Sequence, residues 1–155
     1  MAIARRVPWT ILTVALLGAS SALGDPAAAP SKLANITTEL VGFRSNQGVA
    51  RVALFRSADG FPGEPSKALR TAVASIAQRR ARTIFSGLAP GTYAVSVLHD
   101  ENNNGKLDTN WLGIPREGVG ASNDARAMFG PPSFEAAKIV LAPPGATYTI
   151  RIMYL

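Results

Sequence analysis

The sequence predicts an all-β protein, an antiparallel β-sandwich of about seven short strands with one long ordered loop. Three observations lead there. Apolar and polar residues alternate with period two in several short runs, and Gly, Pro and Asn clusters punctuate those runs. No segment carries a convincing long helical stripe. A cysteine-free chain must hold such a fold by packing alone, without disulfides.

Taken in order, the first segment reads as an export signal. Arg5 and Arg6 precede an apolar run from Val7 to Leu17, broken by Pro8, and "SSALG" supplies small residues before Asp25. The expected boundary is Gly24–Asp25, with Ala22–Leu23 as the alternative, so residues 1–24 are the signal peptide. The run falls short of the roughly 20 apolar residues of a membrane span. The expectation is a periplasmic or secreted protein with no stable span once the signal is removed. Residues 25–32, "DPAAAPSK", are an Ala/Pro-rich tether without periodicity. Residues 33–155 then suffice for one domain with its own core.

The formal charge is +6, and leaving out Arg5 and Arg6 reduces the 16 basic residues to 14 against 10 acidic ones, or +4. The basic excess gathers between Lys67 and Arg82, where no aromatic residues interleave with Arg79, Arg80 and Arg82. A nucleic-acid surface combines both features, so no nucleic-acid partner is expected and a solvated turn is the better reading.

The strands follow. "ANITTELVGF" (34–43) and "VARVALFR" (49–56) flank "RSNQG", whose composition suits a tight hairpin. "ALRTAVASIA" (68–77) fits both a helical stripe through Leu69, Val73 and Ile76 and a strand face; short strands on both sides favour a strand. "RTIFSGL" (82–88) ends at the turn "APG". "GTYAVSVLH" (91–99) is apolar on both faces and reads as a central strand, with Tyr93, Val95, Val97 and His99 on one side. "AAKIVLA" (136–142), the turn "PPGA" and "TYTIRIMYL" (147–155) complete the set; the last alternates Tyr148, Ile150, Ile152 and Tyr154 with smaller or polar residues.

One connection breaks this economy. Residues 100–133 hold no clear strand, and connections longer than about 15 residues are functional or disordered. Trp111, Leu112, Ile114, Met128 and Phe129 are too apolar for disorder. The loop is expected to pack back over one end of the sandwich.

Within it, "DENNNGKLD" has calcium-like spacing. Asp100, Asn102 and Asn104 occupy positions one, three and five, Gly105 provides the sharp turn at six, and the Lys106 carbonyl falls at seven. Asp108 at nine binds directly or through water, Leu107 anchors the loop in the core, and Glu117 or Asp124 completes the shell. Trp111 stands where an EF-hand has its bidentate Glu, which excludes that motif. Calcium is therefore a candidate cofactor, with no other cofactor indicated. The competing reading is a run of turns in which Asn and Asp bond their own backbone. A lone histidine with carboxylates is a poor zinc set.

No catalytic residue is assigned. The chain has no cysteine, no G-x-S-x-G elbow and no second histidine, and neighbours His99 and Asp100 fall on opposite strand faces. The alternative is a hydrolase or isomerase using His99 with carboxylates such as Asp108 and Glu117. Trp111, Arg116 and Phe129 form the candidate surface for a protein or glycan partner. A further alternative is a purely structural envelope domain without metal.

"F-x-G-L-x-P-G-T-Y-A-V" (85–95), "H-D-E-N-x-N-G-K-L-D-T-N" (99–110), "L-G-I-P-R-E-G-x-G-x-S-N" (112–123) and "G-P-P-S-F" (130–134) resemble the bacterial exported family labelled domain of unknown function 2141. That resemblance implies a signal peptide followed by a transthyretin-like or carboxypeptidase-regulatory-like β-sandwich, with Ig-like architecture, and it implies no activity. Val119 departs from the pattern, which leads one to expect an aromatic within "EGxG".

Overall fold

The computed structural model describes residues 33–155; the signal peptide and tether expected at 1–32 lie outside the described residues. The described residues form an all-β sandwich of eight strands. These are β1 (Ala34–Val41), β2 (Val49–Phe55), β3 (Arg70–Ser75), β4 (Arg80–Leu88), β5 (Gly91–Asp100), β6 (Gly118–Ala121), β7 (Ile139–Leu141) and β8 (Gly145–Arg151). One sheet has the order β4-β1-β8, and the other has the order β3-β2-β5-β6 with β7 paired to the start of β5.

Alternation explains the core. Ile36 and Leu40 of β1, Val52 and Leu54 of β2, Phe85 of β4, Tyr93, Val95 and Val97 of β5 and Ile150 of β8 are buried in one cluster between the sheets. β5 is apolar on both faces because both are covered. Its outer face places Ala94 against Ala121 and Ala137, with Phe61 and Phe134 packed on them. Phe61 meets Phe55 and Phe134 edge-on, with centroids 5.4 and 5.9 Å apart. Ser122 fixes this layer by accepting the Val95 N–H at 2.9 Å and donating to the Ala137 carbonyl.

Within residues 68–77, Arg70–Ser75 form strand β3, as their neighbours suggested. Three features differ from the sequence reading. "RSNQG" is not a hairpin: β1 and β2 belong to different sheets, so residues 44–48 cross between layers. The tight connection lies instead between β3 and β4, where Gln78 and Arg79 take positive φ and Ala77 and Arg80 exchange both backbone bonds at 2.9 Å. This corner carries the exposed basic residues Arg79, Arg80 and Arg82. β8 runs parallel to β1, from Asn35↔Gly145 to Val41↔Arg151, so the sandwich is not wholly antiparallel. Finally, residues 100–133 are not one loop, because β6 and a 3₁₀ turn at Ser122–Asp124 divide them.

β6 escapes a pattern search because Gly118 and Gly120 remove its alternation. Both glycines are needed. Beyond Arg151 the chain straps across to β6, where Val119 and Met153 exchange backbone bonds at 2.8 and 2.9 Å. A Cβ on Gly118 would lie 2.6 Å from Ile152 Cγ2 and from the Tyr154 ring. Gly118→Val should therefore cost about 2 kcal/mol through overpacking, read as a lowered urea midpoint. A midpoint matching the parent would show that the strap does not close on β6.

Candidate functional site

The last two residues of β5 part company. His99 turns into the sandwich and is fully buried, with the Phe43 ring edge-on at 5.0 Å. Its Nε2 faces the Gln47 carbonyl at 2.8 Å, and Nδ1 lies 2.6 Å from the Tyr154 hydroxyl. A carbonyl only accepts, so the hydrogen bonds assign the proton to Nε2 and leave Nδ1 to accept from Tyr154. The Tyr154 oxygen in turn accepts the Arg44 N–H at 3.0 Å. Burial, and then the nearby Glu101 charge, raise the Tyr154 hydroxyl pKa, although the Arg44 N–H and guanidinium pull against them. His99 thus ties the 44–48 crossover and the C-terminal strap to β5.

Asp100 turns the other way, onto the outer face, yet is also fully buried. Oδ1 accepts the Asn104 N–H at 3.0 Å, and Oδ2 accepts the Gly105 N–H at 2.9 Å and Arg51 Nε at 2.5 Å. Burial pushes its carboxyl pKa up, but Arg51 and the two backbone donors outweigh that and hold it below the usual carboxylate value. Glu117 is the second buried carboxylate. It accepts the Glu101 N–H at 2.9 Å and the Asp108 N–H at 3.0 Å, clamping both ends of the curl. Glu101 forks onto Arg44, and that hydrogen bond lowers its pKa against the opposing effect of burial.

The side-chain oxygens that the spacing assigned to calcium have partners in the chain. Asn102 Oδ1 accepts the Asn104 N–H at 3.1 Å, and Asn104 Oδ1 accepts the Lys106 N–H at 2.8 Å. The Asn102 and Asn104 amides donate to Asp108 at 2.7 and 3.1 Å. Gly105 has φ +79, the left-handed conformation the sharp turn requires. Arg51 also donates to Asn103 Oδ1 at 2.9 Å, so a guanidinium lies against the curl. Among the described residues no group of three or more His, Asp or Glu side chains is placed to hold a metal ion. Asp124 is not part of the curl: it accepts the Arg151 N–H at 2.9 Å from β8.

Beyond Asp108 the chain forms a tight excursion closed by the Thr109↔Pro115 bridge. Asn110 builds its tip. The side-chain oxygen accepts the N–H groups of Leu112 (2.9 Å) and Ile114 (3.0 Å), and the Asn110 N–H donates to the Ile114 carbonyl at 2.8 Å. Gly113, at φ +77, donates to the Asn110 carbonyl. This ordered turn presents its apolar side chains to water, with Trp111 89% and Leu112 61% exposed and Ile114 exposed beside them. The packing-back expectation therefore fails. Leu107 is not a core anchor either, being 42% exposed, and Met128 and Phe129 are almost wholly exposed. Trp111 follows the Asp100 end of β5, whereas Phe129 follows the 3₁₀ turn seated at Val95, so β6 separates these two candidate contacts.

Sequence reasoning missed Arg51, Arg44, Asn110 and Tyr154. The available signal for Arg51 was a lone cation on the outer face of the otherwise apolar β2. His99, Asp100 and Glu117 do not converge on one opening, and an open cleft lined by Asn35, Thr37 and Pro144–Thr147 lies on the other sheet.

The family described as "Uncharacterized protein conserved in bacteria (DUF2141)" matches residues 38–149. No curated protein and no solved structure matches the chain.

The lowered Asp100 and Glu101 pKa values fix a pH dependence. Their stabilisation is complete above the ordinary carboxylate values and is lost as pH falls through the lower folded ones, so urea midpoints should drop below about pH 4. Asp100→Asn should flatten that drop between pH 5 and 3; an unchanged slope would remove Asp100 from the account. Arg51→Gln should cost about 2 kcal/mol at pH 7, a modest value because Arg51 keeps 34% of its side chain in water.

Proposed function

The chain belongs to this family of bacterial proteins, and on that premise we propose that it is an exported, non-enzymatic recognition module of the periplasm or cell exterior. It docks through the ordered turn at 110–114. One observation carries this reading: Trp111, Leu112 and Ile114 are exposed on a turn whose backbone Asn110 has already bonded. Ordered, exposed apolar groups of this size are characteristic of interaction sites, and pre-ordering reduces the entropy lost on docking. The buried carboxylates brace the turn from below. Against the hydrolase or isomerase alternative stand the separate, bond-saturated surroundings of His99, Asp100 and Glu117. Against a purely structural domain stands the apolar tip itself, which contributes nothing to the core.

A photoreactive amino acid placed at position 111 in producing cells tests docking. Discrete adducts should form from position 111 and not from the exposed control Glu39. Equal yields at both positions would defeat the reading.

A competing reading, calcium bracing, rests on the way Asp100, Asn102, Asn104 and Asp108 gather around the positive-φ Gly105. Here Arg51 supplies a positive charge against the curl, so we expect equal melting points in millimolar calcium and in excess chelator. A cation at 100 times its dissociation constant adds about 2.7 kcal/mol. A rise of several degrees would therefore establish the calcium reading instead.

A further inference from the structure

We infer that the partner of the 110–114 turn is an anionic lipid surface, into whose interfacial layer Trp111, Leu112 and Ile114 insert. This rests on the docking reading above and names its partner. Three observations carry it.

The first is charge sorting. Between Asp100 and Glu117 the carboxylates are covered or paired: Asp100 and Glu117 are buried, Asp108 lies half-buried under two amides, and the half-buried Glu101 is paired with Arg44. Glu101 offsets Arg44, which leaves Lys106 and Arg116 as the exposed cations beside the turn. Water therefore meets an apolar tip flanked by positive charge. Over residues 33–155 the chain carries 13 basic and 9 acidic side chains, a difference of +4 of the same sign. Cations beside a Trp-containing apolar element are the combination that anionic headgroups attract.

The second is the backbone. Backbone groups that lose water on docking cost free energy unless they are bonded, so a turn that is already bonded enters an interfacial layer at lower cost. The N–H groups of Asn110, Leu112, Gly113 and Ile114 bond within the turn and Pro115 has none, which leaves the Trp111 N–H to water or headgroups.

The third is size. A stable protein interface covers roughly 800 Å² per partner, far more than one turn of three large side chains presents. Shallow anchoring in a lipid interface needs only a few such groups combined with charge. Tryptophan, apolar in body with a polar N–H, favours that layer.

The test uses the full chain carrying Trp9→Phe, which leaves Trp111 as its one tryptophan. Fluorescence is followed on vesicles of phosphatidylcholine with 30 mol% phosphatidylglycerol, and on pure phosphatidylcholine, with and without brominated acyl chains. The expected result is a blue-shifted emission quenched by bromolipid on anionic vesicles, weakened by salt and by pure phosphatidylcholine. Lys106→Glu and Arg116→Glu should each reduce binding about fivefold or more. Emission that stays at the solvent-exposed wavelength, unquenched on anionic vesicles, overturns the lipid proposal. If the position-111 crosslinker then yields one discrete protein adduct, docking stands with a protein partner. If it yields none, both readings fall together. Equal quenching on neutral and anionic vesicles would also overturn the anionic assignment.

Discussion

Two buried carboxylates organise this end of the protein. Asp100 and Glu117 between them accept the backbone N–H groups of Glu101, Asn104, Gly105 and Asp108. A buried anion is costly unless hydrogen bonds and a counter-charge replace its water. Here the loop supplies the bonds and Arg51 supplies part of the charge. The conformation of residues 100–108 follows from that requirement: the curl at Gly105 is the path that brings successive N–H groups onto one carboxylate. Everything beyond Asp108, including the Asn110 turn, begins from a base held this way.

The base is fixed to the sandwich from the opposite face of the same strand. His99 bonds both the 44–48 crossover and Tyr154 of the C-terminal strap, and Arg44 joins that strap to Glu101. Gly48 belongs to this junction, since a Cβ there would lie 1.9 Å from the Asp100 carbonyl. Strand alternation thus divides labour between neighbours. His99 connects inner elements and Asp100 shapes an outer loop, without either approaching the other's partners.

Much of the scaffold was legible in the sequence because period-two patterning reports burial directly. The clear strands, the burial of His99 with Val95 and Val97, and the positive φ of Gly105 all follow from local rules. What was illegible depends on distant packing. β6 is hidden because close approach by Ile152 and Tyr154 demands glycines where a strand signal would stand. The crossover at 44–48 has turn chemistry, but the sheet assignment of β1 and β2 is decided by pairings with β4, β8 and β5. Arg51 lies far from Asp100 in sequence and beside it in space. The exposure of Trp111 and Leu107 ran against the ordinary expectation that large apolar groups in an ordered loop are covered. The proposed docking reading rests on that departure, because the fold gains nothing from it.

The central claim is that the loop is ordered by its buried carboxylates and delivers a pre-formed turn. Residue-resolved amide hydrogen exchange at pH 7 addresses it most directly. The account predicts strong protection at Glu101, Asn104, Gly105 and Asp108, with measurable protection at Leu112 and Ile114, whose N–H groups the Asn110 side chain accepts. Exchange at these amides as fast as in an unstructured peptide, while β5 and β2 remain protected, would contradict it.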